Sequence, residues 1–191
     1  MSLRRVVITG MGAISPFGCG TAVFNEGLRQ GQSAVREVPA LREITGLRSQ
    51  VAALVPEFDA KAIPRKFRRS MSLMSIYATL ACQEALAQGG LGETECGSGR
   101  LGVAIGSTVG SIATSESFFT DFLTDRSLER MKSTLFFQIM NHSCAANVAQ
   151  ALGVTGRILA PAAACSTGSH AIGYGAEMIA MGKQEMMLCG G

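Results

Sequence analysis

Cys165 is the residue whose type and setting could do chemistry. It stands where a short apolar run, Ile158 to Ala164, which reads as a buried strand, meets a pattern of helical character from Ser166 to Met181. A thiol in the first turn of a helix faces unpaired N–H groups and the positive end of the helix dipole, which favours its thiolate form. The expected role is that of a nucleophile.

The two histidines do not serve as its base. His170 follows Cys165 by five positions, roughly 140° around a helix at about 100° per residue, so it points away from the thiol and reads as structural. His142 lies between Asn141 and Ser143 and reads as a capping or surface residue. The other cysteines, Cys19, Cys82, Cys96, Cys144 and Cys189, are far apart, with no Cys-x-x-Cys pair and no accompanying histidine spacing. Zinc and disulfide-scaffold readings therefore fail, and a reducing cytoplasm fits. Cys144 and Cys189 read as buried small hydrophobes. Gly10-Met-Gly12 follows a strand pattern as a dinucleotide fingerprint does, but the third glycine is missing and Pro16 interrupts the helix. Neither a cofactor nor a metal is expected.

The elements that must position Cys165 alternate along the chain. Arg5 to Thr9 reads as a buried strand, and Thr21 caps a short helix that Gly31 ends. Gln50 to Val55 is a second strand candidate. A long helix is expected over about Arg68 to Gln88, with Leu73, Tyr77, Leu80 and Ala81 on one face and Gly89-Gly90 as its stop. Leu101 to Ser107 is a third strand, followed by helices near Ser111 to Thr124 and Ser133 to Leu152. After the Cys165 helix comes a last strand, Glu185 to Cys189. The pattern predicts an α/β layered fold with a mainly parallel sheet. The helix after Cys165 is apolar on nearly every face, as a buried middle layer would be, with Gly168, Ala176 and Ala180 leaving one flank open to a close backbone; a half of this size should not cover it alone.

Hydrophobic residues make up 47% of the chain and charged ones 16%, which implies a deep core or a large apolar interface. The net charge of +3 is not gathered into a stripe, and Arg65-Lys-Phe-Arg-Arg69 reads as a solvated helix start rather than a nucleic-acid surface. The apolar run after Arg4 and Arg5 is too short for a signal peptide, and no window approaches a membrane span; a cytoplasmic protein is expected. The pairs Phe118-Phe119 and Phe136-Phe137 read as core or interface packing. Met71, Met74, Met178, Met181, Met186 and Met187 read as adaptable core filling.

Four stretches together resemble the N-terminal half of a β-ketoacyl-acyl-carrier-protein synthase, a condensing enzyme of the thiolase fold. They are the opening RRVVITGMGAISPFG, the helical SMSLMSIYATLACQEALAQGGL, ACSTGSHAIG around Cys165, and the final GKQEMMLCGG. The resemblance covers essentially all 191 residues. It implies an N-terminal ketosynthase domain over 1–191 in which Cys165 accepts an acyl chain from acyl carrier protein. The enolate formed when malonyl-carrier protein loses carbon dioxide would then attack that thioester. The Cys165 N–H would be one of two oxyanion donors.

The resemblance also implies that two histidines, a lysine and a phenylalanine loop come from a C-terminal half that follows Gly191 in the family, so this half alone is expected to be inactive. Phe136 and Phe137 resemble a place where the family lines its acyl channel and dimer contact. The partners implied are acyl carrier protein, acyl and malonyl thioesters, a second copy or a ketosynthase heterodimer, and that C-terminal half; neither nucleic acid nor a membrane is among them. The basic cluster at Arg65–Arg69 could meet an acidic carrier protein. Two other readings stay open. One is a non-catalytic partner of the chain-length-factor kind, in which the nucleophile is usually replaced. The other is a thiolase or carrier-independent synthase of the same fold.

Overall fold

The computed structural model of the chain describes residues 3–129 and 131–191. Its strands are β1 (Ile14–Ser15), β2 (Gly18–Cys19), β3 (Arg36–Glu37), β4 (Val51–Ala52), β5 (Leu101–Ile105), β6 (Ile158–Leu159) and β7 (Met186–Gly190). Its α-helices are α1 (Thr21–Arg29), α2 (Arg65–Arg68), α3 (Leu73–Gln88), α4 (Glu93–Cys96), α5 (Ile112–Asp125), α6 (Ser133–Ile139), α7 (Ser143–Leu152) and α8 (Thr167–Ala180). The architecture is α/β, centred on a three-stranded parallel sheet in the order β6-β5-β7, as the alternating pattern predicts. Antiparallel pairs β1–β2 and β3–β4 lie outside it.

β5 is buried along its whole length, and its two faces differ in size. Leu101, Val103 and Ile105 join Leu188 of β7 in the core with Cys144, Ala145, Val148 and Ala149 of α7 and with Cys82 and Leu86 of α3. On the alternate face stand Gly102 and Ala104, and a Cβ at Gly102 would come within 2.6 Å of Met187 Sδ and 2.8 Å of the Arg157 carbonyl oxygen. Three layers result: α3 against α7, the sheet, then α8. The buried amide of Gln184 ties the strand starts together, donating to the Gly99 and Arg100 carbonyls at 3.0 and 3.1 Å and accepting from the Arg157 N–H at 2.7 Å.

Several expectations need correcting. The long helix starts at Leu73 rather than near Arg68, because the chain turns between Arg69 and Ser72 after the short α2. The buried stripe of α3 is Ser75, Thr79, Cys82 and Leu86, whereas Leu73 is exposed. That stripe is hard to read because it is partly polar, its hydroxyls being satisfied internally. Thr79 Oγ1 donates to the Ser75 carbonyl at 2.7 Å, and Ser75 Oγ accepts from Asn147 Nδ2 at 3.1 Å. The helix expected over Ser133 to Leu152 also breaks in two, where Met140 takes extended backbone (ψ 134).

Arg5 to Thr9 does not join the sheet, and Val7 and Ile8 are 65% and 78% exposed. A β ladder needs a neighbour, and no described strand lies beside this run. Ile158 to Ala164 is likewise strand only over Ile158–Leu159, with Ile158 exposed at the sheet's edge. Within these residues α8 is covered on one face only, as expected of a half too small to enclose it: Thr167, Ala171 and Gly175 are buried, while Ile172 is 54% exposed on one flank and Tyr174 is exposed on the other. A close approach is made at Gly175, where an ideal Cβ would stand 2.2 Å from Cys189 Sγ, and a Cβ at Gly168 would stand 3.5 Å from the Gly191 carbonyl oxygen.

The glycines of Gly10-Met-Gly12 serve packing on α3. A Cβ at Gly10 would come within 2.1 Å of the Ala85 carbonyl oxygen, and one at Gly12 within 1.8 Å of that of Ala81. The turn is locked from α3 by Glu84, whose carboxylate accepts from the Ala13 N–H at 3.0 Å and from the Thr21 N–H and hydroxyl at 2.8 and 2.7 Å. Burial, the largest single influence, raises the Glu84 pKa, but the Thr21 and Ala13 hydrogen bonds together outweigh it and hold the carboxyl below its ordinary value. Because the folded value is the lower one, this stabilisation is full above the unfolded carboxylate pKa and is lost as pH falls through the folded one. Glu84→Gln should cost about 1–3 kcal/mol at neutral pH and flatten the acid limb of stability. Urea melts between pH 3 and 7 check this, and an unchanged acid limb would refute the assignment.

Candidate active site

β6 delivers the chain to Pro161, and the backbone then tightens into a single 3₁₀ turn, Ala164–Ser166, before α8 begins at Thr167. Cys165 lies in that turn, exposed and with its thiol free. Its neighbour Ala164 has φ 47, one of two non-glycine residues with positive φ among those described. A side chain in that region costs roughly 1–2 kcal/mol, and such strain persists where surrounding bonds over-determine it.

Those bonds are present. The Thr167 hydroxyl accepts from the Ala163 N–H at 2.8 Å and donates to the Ala164 carbonyl at 2.8 Å, spanning the strained residue. Ser166 Oγ donates to the Ala163 carbonyl at 2.7 Å. Thr108, in the loop after β5, stands with its hydroxyl 3.2 Å from that of Thr167. The end of β5 packs directly beneath. A Cβ at Gly106 would meet the Pro161 carbonyl oxygen at 2.2 Å and Thr167 Cγ2 at 2.3 Å, so glycine is required there. The thiol is thus held over the C-terminal edge of the sheet, at the positive end of α8.

The other cysteines have different surroundings. Burial pushes the thiols of Cys82 and Cys144 up to about 12 and that of Cys189 up to about 11, with Cys144 and Cys189 adding to the effect at Cys82. Cys96 is raised by burial and then by Glu95 and Glu93. These four pack as apolar residues, as the sequence suggests for Cys144 and Cys189. Cys19 is the other exposed thiol.

Neither histidine is engaged with Cys165. His170 is exposed on α8, its Nδ1 3.5 Å from Tyr174 Oη one turn on. His142 occupies the N-cap position of α7 without a capping bond, its ring 6.3 Å from that of Phe137. Phe136 and Phe137 diverge, as adjacent residues on α6 must. Phe136, 52% exposed, packs its ring 6.1 Å from that of Phe118 on α5, while Phe137 turns toward His142. Thr167, Thr108 and Gly106 are the site residues that the sequence pattern did not single out. A strand followed directly by glycine, opposite a small-residue turn, was the available signal.

Residues 3–191 match the family described as β-ketoacyl synthase, N-terminal domain. The 3-oxoacyl-[acyl-carrier-protein] synthase 2 of Vibrio harveyi is 34% identical over 192 residues, covering 100% of this chain and 46% of its own. A crystal structure of a β-ketoacyl synthase from Burkholderia phymatum STM815 superposes with a TM-score of 0.88 at 39% identity, covering 99% of this chain and 46% of that one. The ishigamide ketosynthase/chain length factor superposes at 0.87 with 28% identity, covering 100% and 47%. The chain spans about half the length of these relatives. The chain therefore belongs to the β-ketoacyl synthase family, and its fold is that of the N-terminal half of a thiolase-like condensing enzyme.

Proposed function

We propose that this chain is the nucleophile-bearing half of a β-ketoacyl-acyl-carrier-protein synthase acting in fatty acid or polyketide chain elongation. The observation that carries the reading is the free, exposed Cys165 on a strained turn at the start of α8. Its thiolate attacks the carbonyl carbon of an acyl thioester. A bond forms to Cys165 Sγ, the bond to the carrier's sulfur breaks, and the released thiolate takes up a proton. Malonyl-carrier protein then loses carbon dioxide. The bonding pair left behind becomes an enolate, which attacks the enzyme-held carbonyl and expels the Cys165 thiolate. The product on the carrier is a β-ketoacyl chain longer by two carbons. The Cys165 N–H serves as one oxyanion donor.

On this reading a C-terminal half contributes the histidines, lysine and phenylalanine loop that stabilise the enolate and complete the oxyanion hole. The exposed apolar residues Val7, Ile8, Ile172 and Tyr174 support such a covering layer. Phe136, beside Phe118, and Phe137, beside His142, are read as contributing to the acyl channel. The retained thiol favours the synthase over a chain-length-factor role, although either kind of ketosynthase dimer fits the family. A cytoplasmic setting accords with six free cysteines. Among the described residues no helix is long and apolar enough to cross a membrane.

Alkylation tests the nucleophile. Iodoacetamide at pH 7.5, followed by peptide mass mapping of the complete polypeptide, should label Cys165 first and leave Cys82, Cys144 and Cys189 unmodified, since their thiolates are scarce at that pH. Labelling of Cys19 with Cys165 untouched would contradict the assignment.

The carrier protein is read as docking on α2, where Arg65, Lys66 and Arg69 are exposed while Arg68 Nε is engaged by the Ile63 carbonyl at 2.8 Å. Arg65→Glu with Arg69→Glu should raise KM for the acyl-carrier protein by about tenfold at low salt, with the difference shrinking as salt rises. The iodoacetamide rate at Cys165 should not change. An unaltered KM would remove this surface from consideration.

A further inference from the structure

Thr167 uses both branches of its side chain, and each points to the same task. Its hydroxyl bridges the Ala163 N–H and the Ala164 carbonyl, closing a loop around the left-handed residue that precedes Cys165. Its methyl group packs over Gly106 at the end of β5 and against the Gly191 backbone. The residue is buried to 5% exposure, so neither branch is spent on solvent. A hydroxyl has one proton to give. Since that of Thr167 goes to the Ala164 carbonyl, Thr108 is the donor across their 3.2 Å contact. Thr108 is therefore the group that keeps the Thr167 proton aimed at the turn. The chain Thr108, Thr167, Ala164 carbonyl runs from the loop after β5 to the residue beside the nucleophile.

We propose that Thr167 is a positioning residue for acyl transfer and that Thr108 acts through it. This rests on the reading of Cys165 as the acyl acceptor. Transfer from a thioester requires two alignments at once: Sγ on the line of attack, and the Cys165 N–H facing the oxygen that gains charge. Both directions are set by the backbone angles at Ala164 and Cys165, which the Thr167 hydroxyl holds. Alkylation by iodoacetamide needs only an accessible thiolate, because no carbonyl oxygen must be stabilised. Loosening the turn should therefore slow acylation far more than alkylation, a split that general loss of structure does not produce.

The test measures both rates at Cys165, by mass spectrometry on the complete polypeptide, with an acyl-carrier thioester and with iodoacetamide. Thr167→Val keeps the shape and removes the hydroxyl. It should lower acylation by about 30- to 100-fold and alkylation by no more than about threefold. Thr167→Ser should restore acylation to within about fivefold of the parent. Thr108→Val, which leaves the packing over Gly106 intact, should lower acylation by about three- to tenfold with an unchanged melting temperature. Acylation within twofold of the parent in Thr167→Val overturns the proposal, as does failure of serine to rescue. Should Thr167→Val lose its melting transition, the Thr108→Val rates decide, and no change in its acylation overturns the proposal. A parent protein never acylated at Cys165 would overturn the acyl-acceptor reading and this proposal with it, whereas an acylated parent with indifferent threonine variants overturns the proposal alone.

Discussion

The arrangement at Cys165 depends on how closely two backbones meet. The first residue after β5 is Gly106, and the Pro161 carbonyl lies where a Cβ would have to be. That contact brings the turn after β6 down onto the sheet, and Thr167 can then fill the gap with its methyl group while its hydroxyl reaches the turn. The left-handed conformation of Ala164 is affordable only because these bonds persist in the folded chain. An exposed thiol on a rigid turn at the positive end of a helix is the product of that packing. No base or second titratable group among the described residues is needed to hold it there.

Polar groups buried beneath the site do comparable work on the scaffold. Asn147 on α7 donates to the Ser70 carbonyl and to Ser75 Oγ, both at 3.1 Å, and accepts from the Ser70 hydroxyl at 3.0 Å. The chain between α2 and α3 is thereby fixed to the layer that packs under β5. Gln184 does the same for the strand starts, as Glu84 does for the glycine-rich N-terminal turn. Each such amide or carboxylate makes three hydrogen bonds, and a buried polar group left without partners would instead cost about 1–3 kcal/mol. The core is therefore specified by a few directional contacts between elements distant in sequence as well as by apolar volume.

What could be read from the sequence follows from this. Leu101 to Ile105 was legible because a short apolar run between turn signals needs nothing but burial to explain it, and the start of α5 was legible because Ser111 caps it locally, accepting from the Thr114 N–H at 3.3 Å. Cys165 was legible as a candidate site residue because it stands between an apolar run and a helix, and the structure places it exposed in the turn before α8. Its turn was not, since alanine is a poor predictor of left-handed backbone and the partnership of Thr108 with Thr167 spans 59 positions. The apolar character of Arg5–Thr9 and of the outer face of α8 suggested burial. Val7, Ile8 and Ile172 are exposed instead, so apolar sequence there did not translate into burial within the described residues. The polar stripe of α3 failed for the opposite reason, because Ser75 and Thr79 are buried by virtue of bonds that no hydrophobic pattern encodes.

Cys165 as the acyl acceptor is the claim on which the rest of the functional reading turns. Incubating the complete polypeptide with an acyl-carrier thioester, without malonyl-carrier protein, isolates the first half-reaction. Intact-mass measurement followed by peptide mapping should find one added acyl group, carried on Cys165 and released by hydroxylamine as a thioester would be. Acyl mass on another residue, or none while Cys165 remains alkylatable, would contradict the account.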